Sequence, residues 1–258
     1  MTQYAFFSIK GNIRSNHEDN LYVDQCILPL DNAGIENVIS GELNSNECQM
    51  FAVFDGMGGE SCGEVAAYIA ADTIRSLSAD RFLPNYNLKP EDDALTDPDR
   101  YLDALCHEMN RRVCRYAKEH RIRSMGTTMA CILFMDQKAF FASIGDSRIY
   151  LIHERSVTQI TTDHTFNSIF YAKPPLTQYL GIDEDETALL PGIGSIPINI
   201  DDRYLICTDG VTDMLSEDDI SNIIQGEQPL EKCMSELKHR ILQAGARDNS
   251  TAILCGFL

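Results

Sequence analysis

Apolar and polar positions along the chain fall into blocks of different period. Residues 3–9 (QYAFFSI) and 20–27 (NLYVDQCI) are rich in β-branched and aromatic side chains and predict strands. The polar stretch KGNIRSNHEDN between them predicts a turn. Residues 31–48 are rich in Gly, Asn and Ser and predict a loop. Residues 49–55 (QMFAVFD) predict a buried strand, ended by GMGGE. Over 62–78, Val65, Ile69, Thr73 and Leu77 recur four residues apart among alanines, which predicts a helix. Residues 80–99 hold three prolines and many acids and predict a connector. Residues 100–120 carry a stripe of Leu102, Leu105, Met109, Val113 and Tyr116, again helical.

The period then changes. Residues 127–135, 138–144, 148–153 and 156–160 predict consecutive strands whose connections are too short for crossovers, hence an antiparallel meander. Residues 165–200, with four prolines and a DEDE run, predict mostly loop. A strand at 203–208, helices near 217–225 and 229–244, and a last strand at 250–257 complete the chain. Strands in blocks and helices in blocks argue an α+β fold with antiparallel sheets. No repeat or shift of composition breaks the chain, so one domain over residues 1–258 is expected.

Composition narrows the function. The chain carries 21 Lys+Arg against 39 Asp+Glu, a net charge of −18. That balance argues against a nucleic-acid partner and against an anionic membrane surface. No run approaches the roughly 18 apolar residues of a membrane span, and MTQYAFFSIK does not read as a secretory leader. With 44% hydrophobic residues, disorder is excluded. The nine cysteines are odd in number and show no C-x-x-C spacing, which argues free thiols and a cytoplasmic location.

The informative feature is where certain acids fall. Asp55, Asp146, Asp209 and Asp248 each stand where a predicted strand gives way to a turn, and Glu18-Asp19 precede the second strand. Turn chemistry accounts for any one Asp-Gly pair. Asp55 and Asp209, however, each follow a wholly apolar run, where an unpaired carboxylate is costly. Basic partners are scarce, so several gathered carboxylates point to a hard divalent cation with oxygen ligands, Mg²⁺ or Mn²⁺. Two such ions sharing a carboxylate make a hydrolytic centre for phosphoryl groups. Arg14, four residues before Glu18, is the candidate for holding phosphate oxygens, because guanidinium grips phosphate bidentately.

These residues carry a resemblance. Gly11, Arg14, Glu18 and Asp19 in G-x-x-R-x-x-x-E-D, then VFDGMGG, MGTT (125–128), IGDSR (144–148), TTDHT (161–165), CTDGVTD (207–213) and RDN (247–249), stand in the order of the metal-dependent PP2C (PPM) serine/threonine phosphatases. DGMGG with MGTT resembles the bacterial branch. The resemblance covers nearly the whole chain. It implies a β-sandwich of two antiparallel sheets flanked by helix pairs on both outer faces. It also implies hydrolysis of phosphoserine and phosphothreonine on proteins by a water activated between two Mn²⁺ or Mg²⁺ ions. In that reading Asp55 bridges the metals, Gly56 lends its carbonyl, and Asp209 and Asp248 complete the direct ligands. Glu18 and Asp19 hold metal-bound waters, Asn249 supports the site, and Arg14 binds the phosphate. Asp146 braces strand and turn. The implied partner is a phosphorylated protein, opposed to a serine/threonine kinase, and a monomer is expected.

Departures from the family pattern shape further expectations. Met57 follows the Asp-Gly pair where some members carry histidine, so an acid for the leaving group must come from elsewhere, a metal-bound water or His17; His17 otherwise reads as a solvent-facing turn residue. Residues 119–124 (EHRIRS) lack the aspartate that helps bind a third metal, so a third site is expected to be weak or absent, with Asp213 as one ligand if it forms. The flap region near 165–200 is short, and Phe166, Ile169, Phe170 and Tyr171 are expected to pack on the body. The alternatives are a catalytically weak PP2C-like phosphoprotein-binding module and a dinuclear hydrolase of a small phosphoester.

Overall fold

A computed structural model describes residues 1–44, 49–58, 62–79, 97–154, 156–166, 174–226 and 228–257. Two antiparallel sheets face each other. The first runs β3 (Gly34–Leu43), β1 (Thr2–Ile9), β12 (Ser250–Phe257), β11 (Arg203–Cys207), β8 (Arg148–His153), β9 (Ser156–Gln159). The second runs β10 (Gly192–Pro197), β7 (Lys138–Ile144), β6 (Met129–Met135), β4 (Gln49–Gly58), β2 (Asp19–Val23), and β5 (Met125–Thr127) pairs with the end of β4.

Both faces of each sheet are covered, which explains why the central strands read as unbroken apolar runs. On β1, Phe6 points between the sheets with Leu21, Val53, Ile132, Ile206 and Ile253. Its neighbours Ala5 and Phe7 point outward, against α4 (Glu217–Ile224) and α5 (Leu230–Gln243), where Ile220, Leu237 and Ile241 meet them. On β4, Phe51 and Val53 point inward while Ala52 and Phe54 meet α1 (Gly63–Ala79) and α2 (Pro98–His120). Small alanines on α1 (Ala67, Ala70, Ala71) let that helix lie close to the sheet. The α+β sandwich with a helix pair on each outer face is therefore the fold. It rests on burying about 25 cal/mol for each Å² of apolar surface, counted against an extended chain.

Three sequence expectations change. Residues 34–43, expected within a loop, form β3, paired with β1 from Thr2↔Leu43 to Ile9↔Gly34. This is an edge strand, so Glu36, Asn37 and Glu42 face solvent and the apolar alternation is lost. β10 lies inside the expected loop 165–200 and pairs with β7; its glycines hid it, because Gly194 leaves room for the Phe141 ring. The second strand ends at Val23 rather than 27, because Asp24 and Gln25 take positive φ (46° and 66°) in a turn. A four-residue helix not foreseen, α3 (Asp209–Thr212), follows β11 directly. The connector expected at 80–99 falls almost wholly outside the described residues.

Candidate active site

The two sheets deliver acids to one end of the sandwich. In the β2–β4 register Asp19 stands directly opposite Asp55, a like-charge pair that would weaken an ordinary sheet. Asp209 opens α3 immediately after β11, and Asp248 stands two residues before β12, the strand that pairs with β11. Asp19 reaches across to this second pair of strands. Its Oδ2 accepts hydrogen bonds from Thr208 Oγ1 (2.9 Å) and Thr251 Oγ1 (2.7 Å). One carboxylate thus ties the ends of both sheets together.

Burial and neighbouring charge raise Asp55, Asp19 and Glu18. Burial pushes the Asp55 carboxyl well above the ordinary carboxylate range, and the charges of Asp209 and Asp19 push it further. The nearby Asp209 side chain and the charge of Asp146 add to this rise. Burial raises Asp19 to about 8, against the opposing effect of the Thr251 and Thr208 hydroxyls, with Asp209 and Asp248 adding to the rise. Glu18 is raised by burial and by Glu64, and lowered by Arg14. Asp19 is 1% exposed and its Oδ1 has no hydrogen-bond partner, as is true of Glu64 Oε2. Buried carboxylates with open oxygens suit a hard cation and little else.

Arg14 reaches this cluster. Its Nη2 donates to Asp248 Oδ2 at 2.6 Å, which raises the already high guanidinium pKa, and it also feels Glu18 and Asp55. With Asp248 turned to Arg14, no three His, Cys, Asp or Glu side chains among the described residues are already set in coordination geometry. Strand register sets Asp19 opposite Asp55, and the Thr208 hydroxyl ties Asp19 to the residue next to Asp209. The backbones are therefore in place, and side chains rotate to a metal more cheaply than backbones move.

The backbone around the site is closely held. Asn249 Oδ1 accepts from the Glu18 N–H (2.8 Å), and its Nδ2 donates to the carbonyls of Lys10 (2.8 Å) and Asn16 (3.0 Å). This residue staples the whole Arg14–Glu18 turn to β12. The Asp55 N–H donates to Thr128 Oγ1 (3.1 Å), and its carbonyl accepts from the Thr128 N–H and the Thr127 hydroxyl (both 2.9 Å). Gly56 is obligatory: a Cβ there would lie 2.2 Å from the Gly63 carbonyl oxygen. A Cβ at Gly210 would lie 1.8 Å from the Asn249 carbonyl oxygen, so glycine lets α3 seat Asp209 beside the Asp248 turn.

The sequence-predicted residues Arg14, Glu18, Asp19, Asp55, Gly56, Asp209, Asp248 and Asn249 therefore come together. Asp213 is exposed, one turn beyond Asp209, whose carbonyl accepts its N–H at 2.7 Å. Asp146 is among the charges that raise Asp55, while the ion pair bracing that corner is Arg148–Asp163, with contacts of 2.6–3.0 Å. His17 is not a solvent-facing turn residue. It is 3% exposed, and burial lowers its pKa to about 4. Phe166, expected to pack, is 57% exposed; Ile169, Phe170 and Tyr171 lie outside the described residues. Sequence reasoning missed Glu64, which reads as an ordinary first-turn acid of a helix, and missed Ser8, Thr208 and Thr251, which look like plain strand residues. A cleft of about 520 Å³ lies elsewhere, between α2 and residues 182–185, lined by His107, Arg111 and Glu184 among others.

This fold, with acids gathered at one end of the sandwich, defines a protein class. The chain belongs to the protein phosphatase 2C family, whose model matches residues 42–248. It is 28% identical to the serine/threonine protein phosphatase PstP of Mycobacterium tuberculosis over 98% of this chain and 44% of that protein. It is 29% identical to the protein phosphatase PhpP of Streptococcus pneumoniae over 80% of this chain and 84% of that one. The chain thus spans less than half the length of its mycobacterial relative. A solved structure of the PstP catalytic domain in complex with two manganese ions superposes with a TM-score of 0.74 at 26% identity, covering 99% of this chain and 97% of that one. No helix among the described residues is long and apolar enough to cross a membrane.

Proposed function

We propose that this chain hydrolyses phosphoserine and phosphothreonine on proteins, using two Mn²⁺ or Mg²⁺ ions. The observation that carries the reading is the buried Asp19 facing the partly buried Asp55 across the strand pair, with an open Asp19 oxygen and Arg14 at the rim. Asp55, the Gly56 carbonyl, Asp209 and Asp248 would hold the ions, and Glu18, Asp19 and Asn249 would order the groups around them. When bound, the ions supply an activated water and offset phosphate charge. Arg14 is half-exposed beside Asp248, so its guanidinium is free to swing to an incoming phosphate and fix its orientation. Asn249 holds the Arg14 turn against β12, so the phosphate-binding group and the acids share one rigid base. The rest of the reading is a single domain with a shortened flap near 165–200, no more than a weak third metal site at Asp213, a monomeric cytoplasmic protein, and an opposing serine/threonine kinase. The bacterial relatives named as serine/threonine or protein phosphatases support the substrate class.

The test compares phosphate release from phosphoserine peptides and from small phosphorylated metabolites, with Mn²⁺ and with EDTA. Peptide turnover that vanishes on chelation is expected. Turnover of small phosphoesters alone would replace the reading with a metabolite hydrolase, and activity in EDTA would remove the metal mechanism.

A further inference from the structure

Behind Asp19 lies a row of buried hydroxyls that the phosphatase chemistry does not itself require. Thr251 Oγ1 donates to Asp19 Oδ2 at 2.7 Å, and Thr208 Oγ1 donates to the same oxygen at 2.9 Å. Ser8 Oγ lies 2.7 Å from Thr251 Oγ1, and His17 Nε2 lies 3.0 Å from Ser8 Oγ. Ser8, Thr208 and Thr251 are fully buried and His17 nearly so.

A hydroxyl has one proton to donate. When Asp19 is ionised its oxygens only accept, so Thr251 gives its proton to Asp19 and must accept from Ser8. Ser8 has then spent its own proton and must accept from His17. The direction of the whole row follows: His17 Nε2–H to Ser8, Ser8 to Thr251, Thr251 to Asp19. The imidazole is held in the Nε2–H tautomer, and this agrees with its Nδ1, which is buried and has no hydrogen-bond partner. In the other tautomer His17 would take the Ser8 proton. Two acceptors, Ser8 and Asp19, would then compete for the single Thr251 proton, and one 2.7 Å contact would become a repulsion between lone pairs.

We infer that His17, Ser8, Thr251 and Thr208 are positioning residues for Asp19. The one-way row pins Oδ2 to the sheet and leaves Oδ1 as the oxygen that faces the acid cluster. The inference rests on the metal-site reading above for its consequence, but its geometry stands without it. Groups that orient a metal site from behind are typically worth about 10–100-fold in metal affinity.

Two measurements test it. The first is ¹⁵N NMR of the imidazole in the metal-free protein at pH 9, above the Asp19 value of about 8 so that this carboxylate only accepts, with the His17 signals identified by their loss in His17→Gln. The Nε2–H tautomer is expected, and an Nδ1–H tautomer would overturn the row's direction whatever the protein's activity. The second is calorimetric titration with Mn²⁺. Thr251→Val should bind about tenfold more weakly than wild type, and Thr251→Ser, which keeps the hydroxyl, should bind as wild type does. Equal affinity in Thr251→Val, or equal weakness in both variants, would sink the positioning role. A wild-type protein that takes up no Mn²⁺ would overturn the metal-site reading, and with it the positioning role as a contribution to metal binding.

Discussion

Arg14 and Asp248, 234 residues apart in the chain, form an ion pair of 2.6 Å at the rim of a buried acid cluster. In the proposed reaction both ends of this pair have other duties, since Asp248 would turn to a metal and Arg14 to a phosphate. The two roles separate in Arg14→Ala. Its kcat/KM for a phosphopeptide should fall by about 10²–10³-fold, the usual cost of losing one charge-stabilising donor. Its Mn²⁺ affinity, measured by calorimetry, should hold or tighten, because Asp248 is released. A weaker affinity would make Arg14 part of the metal site instead.

Asp55→Asn removes one of two facing carboxylates. Turnover should drop to the level seen in EDTA. The metal-free variant should also be more stable than the metal-free wild type, since a buried like-charge contact is gone. For a protein of this size each kcal/mol corresponds to about 2–4 °C in Tm, and differential scanning calorimetry would show the rise. A Tm below wild type would mean that Asp55 is paired in a way the cluster geometry does not provide.

The same acids set a pH dependence with a definite sign. Asp19 and Asp55 hold their protons more tightly folded than unfolded. The folded protein therefore binds more protons, and stability falls as pH rises. For Asp19 the window runs from the ordinary carboxylate value of 3.8 up to about 8. Metal-free protein should resist urea better near pH 6 than near pH 8.5, and saturating Mn²⁺ should abolish or reverse that trend. A metal-free protein that gains stability across this window would show the acids to be ionised at no cost.

Asn249→Ala deletes three hydrogen bonds that staple the Arg14–Glu18 turn to β12 and leaves the Glu18 N–H and two carbonyls without their partner. The loss should be about 2–3 kcal/mol in urea denaturation, from unmade bonds at a part-buried site. Hydrogen exchange at the Glu18 amide should speed up while the amides of β6 keep their protection. Unchanged exchange at Glu18 would show the turn to be held by something else.

Much of the fold was readable because its central strands are covered on both faces. Phe51, Val53 and Phe54 report burial regardless of which way they point, so the apolar runs marked β1, β4, β6, β7, β11 and β12 directly. β3 and β10 escaped because an edge strand shows solvent-facing charges or glycines, and such a stretch looks like a loop until a neighbour supplies its hydrogen bonds. His17 was misjudged for a related reason. A histidine in a polar turn looks exposed, and only the packing of Ser8 and Gly34 against its ring buries it.

The sequence alone determined the kinds of group present: apolar runs long enough for a two-sheet core, glycines next to Asp55 and Asp209, and acids at strand ends in a chain where acids outnumber bases 39 to 21. Those are local properties, legible because backbone freedom, burial and charge attach to single residues and their neighbours. Only the tertiary structure decided that Asp19 faces Asp55 across a strand pair, that Thr208 and Thr251 donate to one oxygen of Asp19, and that Arg14 closes on Asp248. Distances between residues far apart in the chain, up to 234 positions for Arg14 and Asp248, depend on strand register, and register is a collective outcome of the whole core.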